Sequence, residues 1–271
     1  MHRNRWITGI VLLPPLLAMI AFGPPFLLAL LAGLVALLGL WEYFRIVFAE
    51  GFDTDVRVLL ALAATAAAGL VWAAYQRATT VIPGILFLDL AACALFLVFR
   101  FREGFPAVSL VVRQVCGVVY VPLSLACLVL LYRTGDRGAA WVFLVLAVSF
   151  AGDTAAFYAG RRWGRRKLRP NVSPGKTVAG ALGGVGGSVA AGALVKLLGL
   201  PGVPWPEVLL FCAAAAALGQ LGDLFESILK RTSGVKDSGR LLPGHGGILD
   251  RIDALLFVAP ATYLFRTLVG L

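Results

Sequence analysis

What this chain can fold into is limited first by its apolar runs. Nine stretches of near-continuous apolar sequence follow one another, roughly Ile7 to Gly23, Pro25 to Phe44, Val58 to Tyr75, Thr79 to Phe99, Val115 to Tyr132, Ala139 to Gly160, Thr177 to Leu198, Glu207 to Lys230 and Ile248 to Val269. Each approaches the 17 to 25 residues, about 20 on average, that a helix needs to cross a hydrocarbon core of about 30 Å. The runs are apolar on all sides, which suits spanning helices and excludes the short alternating strands of a β-barrel. With 60% hydrophobic and 14% charged residues, the expected fold class is all-α: a polytopic integral membrane helical bundle of about nine transmembrane helices. The Gly23-Pro24-Pro25 step predicts a tight hairpin between the first two. A leader peptide is the alternative for the first run, which follows Arg3 and Arg5, but no A-x-A site follows and a second span begins at once. No long linker, low-complexity tract or repeat divides residues 1–271, so one membrane domain is expected, with the chemistry in its C-terminal part, about 139–271.

Lys and Arg orient such a bundle. With the N-terminus inside, 19 of the 24 basic residues fall on the cytoplasmic side and five (Arg77, Arg133, Arg137, Lys196, Arg266) outside. That bias predicts a cytoplasmic N-terminus, an external C-terminus and a cell-membrane location. It also places the two most polar loops, 161 to 176 and 231 to 249, on the cytoplasmic face. The net charge of +10 then reads as topology and attraction to anionic headgroups or phosphates, not as a sign of nucleic acid.

Cys93, Cys116, Cys127 and Cys212 lie within apolar runs without C-x-x-C spacing and read as small core residues. The acids are more telling, because a charge at the bilayer centre costs about 2.5 to 3.5 kcal/mol on insertion scales and is retained mainly where it works. Asp223 and Glu226 sit in the eighth run; Glu226 pairs with Lys230 at i, i+4, whereas Asp223 has no base at that spacing and reads as functional. Asp250 and Asp253 open the ninth run at i, i+3 and should share a helix face, although the helix dipole alone accounts for one of them. Convergent carboxylates without cysteine suggest Mg²⁺, held by one or two carboxylates and completed by substrate phosphates. Asp223 and Asp250 are the expected ligands, with Asp153 and Glu226 as further candidates and a second cation as an option. Asp89 in the fourth run is less telling and reads as a buried hydrogen-bonding group.

Between the carboxylates runs KRTSGVKDSGRLLPGHGG, in which Gly244, Gly246 and Gly247 let backbone N–H groups approach an anion while Lys230, Arg231, Lys236 and Arg240 supply positive charge. His245 alone is a weak metal signal. The other polar loop carries Gly175-Lys176-Thr177, but a P-loop needs glycine where Pro170 stands, and no strand is expected before it. What survives is a Ser173-Pro-Gly-Lys176-Thr177 turn opening the seventh run, where free helix N–H groups and Lys176 can hold phosphate.

These residues resemble the phosphatidate cytidylyltransferases. The family signature S-x-x-K-R-x4-K-D-x-G-x2-[LIF]-P-x-H-G-G-x-x-D-R-x-D is met by Ser227, Lys230, Arg231, Lys236, Asp237, Gly239, Leu242, Pro243, His245, Gly246, Gly247, Asp250, Arg251 and Asp253. The likeness extends to Gly222–Ser227, to Ser173–Thr177 with Gly180, Gly183 and Gly184, and to the region of Asp153 to Gly164. One departure is Ala179, where the family commonly has glutamate in K-T-x-E-G. The resemblance implies the reaction of CTP with phosphatidic acid to give CDP-diacylglycerol and diphosphate. It implies catalytic roles for Asp223, Asp250, Lys236, Asp237 and Asp253, and substrate contacts from Ser173, Lys176, Thr177, Lys230, Arg231, His245, Gly246, Gly247 and Arg251.

Partners expected are CTP, phosphatidic acid and the bilayer, with no nucleic acid; a homodimer is an open alternative. A cytidylyltransferase acting on an archaeal or polyprenyl lipid phosphate is the alternative enzyme. A transporter fits less well, since the polar groups gather at one face and no repeated halves are evident.

Overall fold

A computed structural model of the chain describes residues 14–239 and 246–270. It is helical except for one small hairpin, and it divides into two compact units interleaved along the sequence. Residues 1–133 and 235–249 belong to the first, residues 134–234 and 250–271 to the second. Among the described residues seven helices are long and apolar enough to cross a membrane. Of the nine runs read from the sequence, these account for seven and the shorter apolar helix Leu255–Leu268 for another, while the first run is described only in part.

The first unit begins with α1, helical over 14–22; residues 7–13 of the first apolar run lie outside the described residues. α1 ends at the expected Gly23-Pro24 step, Gly23 N–H donating to Met19 O at 2.8 Å, and α2 (Pro25–Val47) begins two residues later. Then come α3 (Thr54–Tyr75), α4 (Thr79–Arg100) and α5 (Ala107–Arg133). Small side chains let α2 and α3 pack closely: Ala29, Ala32 and Ala36 are buried on one, Ala63, Ala66, Ala67 and Ala74 on the other. Pro122 lacks the N–H that an α-helix needs, and the turn around it, Val119–Leu123, widens into π geometry. Asp89 is buried and accepts Gln114 Nε2 at 2.8 and 3.0 Å on its two oxygens. Asp55, also buried, pairs with Arg100 at 2.7 Å.

The second unit comprises α6 (Gly138–Trp163), a hairpin of β1 (Lys167–Arg169) and β2 (Ser173–Thr177), α7 (Val178–Gly199), α8 (Trp205–Thr232), α9 (Leu249–Ile252, of which Asp250 onward belongs here) and α10 (Leu255–Leu268). The hairpin corrects the expected Ser-Pro-Gly-Lys-Thr turn. Pro170 presets φ for a β-turn closed by Val172 N–H to Arg169 O at 3.1 Å, and the chain returns antiparallel with Lys167 opposite Thr177. Thr177 then caps α7, its Oγ1 accepting Gly180 N–H at 3.1 Å.

α7 lies against α6 because glycine faces it. A Cβ on Gly183 would collide with that of Ala159, and one on Gly187, a turn further, with that of Ala155. The ninth apolar run is not one helix. Asp253 turns its Oδ1 to the next backbone N–H, of Ala254, at 2.8 Å, a local bond that competes with helix propagation. The run is interrupted there by a two-residue turn between α9 and α10, in which Ala254 keeps helical backbone angles.

Candidate active site

The second unit holds a cleft of about 580 Å³ between α6, the hairpin, the start of α7 and α8. Three basic side chains (Arg161, Lys167, Lys176) and two acidic ones (Asp153, Asp223) line it, with Phe157 and Leu168 adding apolar wall. Each comes from an element with a local reason to be there. Lys176 is carried in by β2, one residue before the Thr177 cap, and Asp223 projects from the last third of α8. At 1.5 Å per residue the 28 residues of α8 run about 42 Å, beyond the hydrocarbon thickness, so its polar end has room outside the apolar core.

Asp223 Oδ2 lies 2.6 Å from Lys176 Nζ. The acid that lacked a helical partner in the sequence therefore has one from another element, and the pair joins an expected cation ligand to an expected phosphate ligand. Gln220, one turn before Asp223, also lines the cleft and donates to Ala181 O at 3.0 Å, tying α8 to α7. Sequence reasoning missed it; a polar amide on the same face as Asp223 was the available signal.

A second charge centre lies where α8 meets α9. Lys230 Nζ donates to Glu226 Oε2 at 2.7 Å and to Asp250 Oδ1 at 2.5 Å. The i, i+4 pair expected for Glu226 is present, and Asp250 is its third member. Glu226 is fully buried, and its Oε1 finds no hydrogen-bond donor among the described residues. Asp253, in the break before α10, has its carboxyl pushed up from the usual carboxylate range, first by burial and then by the negative charge of Asp223. Arg231 is exposed and its Nε donates to Val172 O at 3.3 Å, so it braces the hairpin. Ser173 opens β2 opposite Arg169, and Arg251 is exposed on α9.

Asp223 and Asp250, expected as joint ligands, thus belong to different ion-pair centres; Asp153 is the carboxylate that shares the cleft with Asp223. No group of three or more His, Cys, Asp or Glu side chains among the described residues stands at metal-binding spacing. The donor chemistry nevertheless suits a hard cation of the Mg²⁺ type, which takes one or two carboxylates and completes its shell from water and substrate phosphate.

The glycine-rich segment falls in the first unit. Lys236 and Asp237 are exposed, Ser238 and Gly247 buried, and Gly246 half-buried with φ of 82°. Arg240 to His245, including the expected phosphate contact His245, lie outside the described residues. What holds the described ends is Glu42 of α2, an acid in an apolar run that the sequence reading passed over.

The chain is thus a polytopic helical membrane protein with a cleft that mixes paired acids and bases. The chain is a member of the cytidylyltransferase family, which matches residues 3–269. It is 42% identical over 160 residues to the phosphatidate cytidylyltransferase of Thermotoga maritima, covering 57% of this chain and 58% of that protein. It is 38% identical over 152 residues to the phosphatidate cytidylyltransferase of Bacillus subtilis, 56% of each chain, and 37% identical over 187 residues to the uncharacterized protein YnbB of Escherichia coli, 67% of this chain and 62% of that one. The matched stretch thus spans somewhat more than half the length of these relatives.

Proposed function

We propose that the chain is a phosphatidate cytidylyltransferase, transferring the cytidylyl group of CTP to the phosphate of phosphatidic acid and releasing diphosphate. The observation that carries this reading is the Lys176–Asp223 pair inside a cleft lined by further basic side chains and by apolar wall. The attacking group, a lipid phosphate oxygen, is already ionised at neutral pH. It forms a bond to the α-phosphorus as the bond from that phosphorus to the bridging oxygen of the diphosphate breaks. Little general-base chemistry is needed, and the protein's work is positioning and charge neutralisation.

At rest Lys176 is paired with Asp223, and Lys230 stands between two carboxylates, Glu226 and Asp250, so each lysine has a partner to exchange for substrate phosphate. Lys176 leaves Asp223 for a phosphate oxygen, and Lys230 does the same from Glu226 and Asp250. Asp223 with Asp153, and Asp250 with Glu226, would then hold Mg²⁺. Bound there, the cation supplies positive charge against the leaving diphosphate. Arg161 and Lys167 supply further charge for the triphosphate or the lipid headgroup, and Phe157 and Leu168 receive the proximal acyl carbons. In the signature segment Lys236, His245 and the N–H groups of Gly246 and Gly247 would bind phosphate, and Asp237 would orient a basic neighbour or assist the cation. By the distribution of basic residues the site faces the cytoplasm.

CTP labelled separately at its α- and γ-phosphorus tests the reading. With phosphatidate vesicles and Mg²⁺, α-label should enter the lipid and γ-label should leave as diphosphate. γ-Label in the lipid would make the protein a kinase, and no label from either position with phosphatidate would direct attention to another lipid phosphate.

A further inference from the structure

Glu42 receives three hydrogen bonds from a part of the chain about two hundred residues away. Its Oε2 accepts Ser238 Oγ at 2.9 Å and Leu249 N–H at 2.8 Å, and its Oε1 accepts Ile248 N–H at 3.0 Å. The side chain is 4% exposed, and Ser238 is buried with it. Glycine is required on both sides of this contact: a Cβ on Gly239 or on Gly247 would collide with the Glu42 carboxyl. All of these residues lie within the first unit.

A buried acid in an apolar helix is expensive and calls for a role. Nothing in the packing of α2 alone requires this one, because the neighbouring Tyr43 and Phe44 are held by ring contacts and by the bond from Tyr43 Oη to Arg113 O at 2.9 Å. The partners of Glu42 are instead the two ends of the glycine-rich signature segment, 238–239 before it and 247–249 after it. Lys236 and Asp237 immediately precede the first anchor and are exposed.

We infer that Glu42 is a positioning residue for the two described ends of the signature segment: its carboxyl clamps Ser238 and residues 248–249, and so sets where the adjoining Lys236, Asp237 and the N–H groups of Gly246 and Gly247 stand. The phosphate-binding consequence rests on the cytidylyltransferase reading; the clamp does not. The two glycines bordering the segment are then explained by the approach of a carboxyl group and not only by the approach of an anion.

The test uses the full chain in detergent and in phosphatidate vesicles, comparing wild type with Glu42→Gln, Ser238→Ala and, as a control, Asp55→Asn, which breaks a buried ion pair elsewhere in the same unit. The amide keeps the volume of Glu42 but turns a donor toward donors, and that loss is not recoverable by water in a buried site. In Glu42→Gln, tryptic cleavage after Lys236 should rise about 10-fold while sites outside the segment stay at the wild-type rate, and KM for CTP should rise about 10-fold with KM for phosphatidate little changed, the effect of two lost hydrogen bonds. Asp55→Asn should raise cleavage generally and leave KM for CTP unaltered. Wild-type cleavage and KM in Glu42→Gln overturn the inference, as does a cleavage pattern matching that of Asp55→Asn. If Glu42→Gln is not recovered folded, Ser238→Ala decides: about 3-fold faster cleavage, for one lost bond, supports the clamp and an unchanged rate overturns it. Should wild type transfer no cytidylyl group, the functional reading fails while the cleavage comparison still decides the clamp.

Discussion

Asp223 is bound to Lys176 and Asp250 to Lys230, and at the residue scale the function turns on these two pairs. Asp223→Asn and Asp250→Asn keep side-chain volume while removing the charge that a cation and a lysine both need. Each should lower turnover by about 100-fold or more, the scale found when one preorganised charge-stabilising group is removed, with the protein still eluting as a folded species in detergent. Asp89→Asn should be mild by comparison, because Gln114 can still bond to the remaining carbonyl oxygen. Activity assays of the three proteins side by side check this. The acids of α8 were legible as functional candidates because a carboxyl in an apolar run is rare. The partner of Asp223 was not, because Lys176 arrives from a strand that no periodicity announces. Glu42 carried the same signal as Asp223 and was missed, since its partners lie at the other end of the chain.

At the scale of elements, the glycines of α7 determine how near α6 can come. Gly183→Leu would drive a large side chain into Ala159, at an expected cost of about 1–3 kcal/mol or more for overpacking. The thermal midpoint in detergent should fall, and activity with it, since Asp153 reaches the cleft from α6 and Lys176 from β2, the strand that leads into α7. Gly186→Ala, where an added Cβ meets nothing, should leave the midpoint where it is. Most helix positions were legible from run length alone. The β1–β2 hairpin and the break at Asp253 were not: two strands of three and five residues leave no pattern, and one side-chain bond to Ala254 N–H outweighs an otherwise continuous apolar stretch.

For the whole molecule, the expected consequence is one of sidedness. With Cys93, Cys116, Cys127 and Cys212 replaced, single cysteines at the exposed positions Arg165 and Lys236 should react with an impermeant reagent only from the cytoplasmic side, and a reporter fused after Leu271 should lie outside. Labelling of the two positions from opposite sides would overturn this topology. The sequence by itself determined a helical membrane protein, its family and the residue types of its chemistry, because apolar length and a dense run of charged and glycine residues are local properties. Only the tertiary structure decided which charge meets which. Lys176 neutralises Asp223, Lys230 joins Glu226 to Asp250, and Glu42 holds the ends of the signature segment, because such pairings depend on distances between elements that sequence order does not encode.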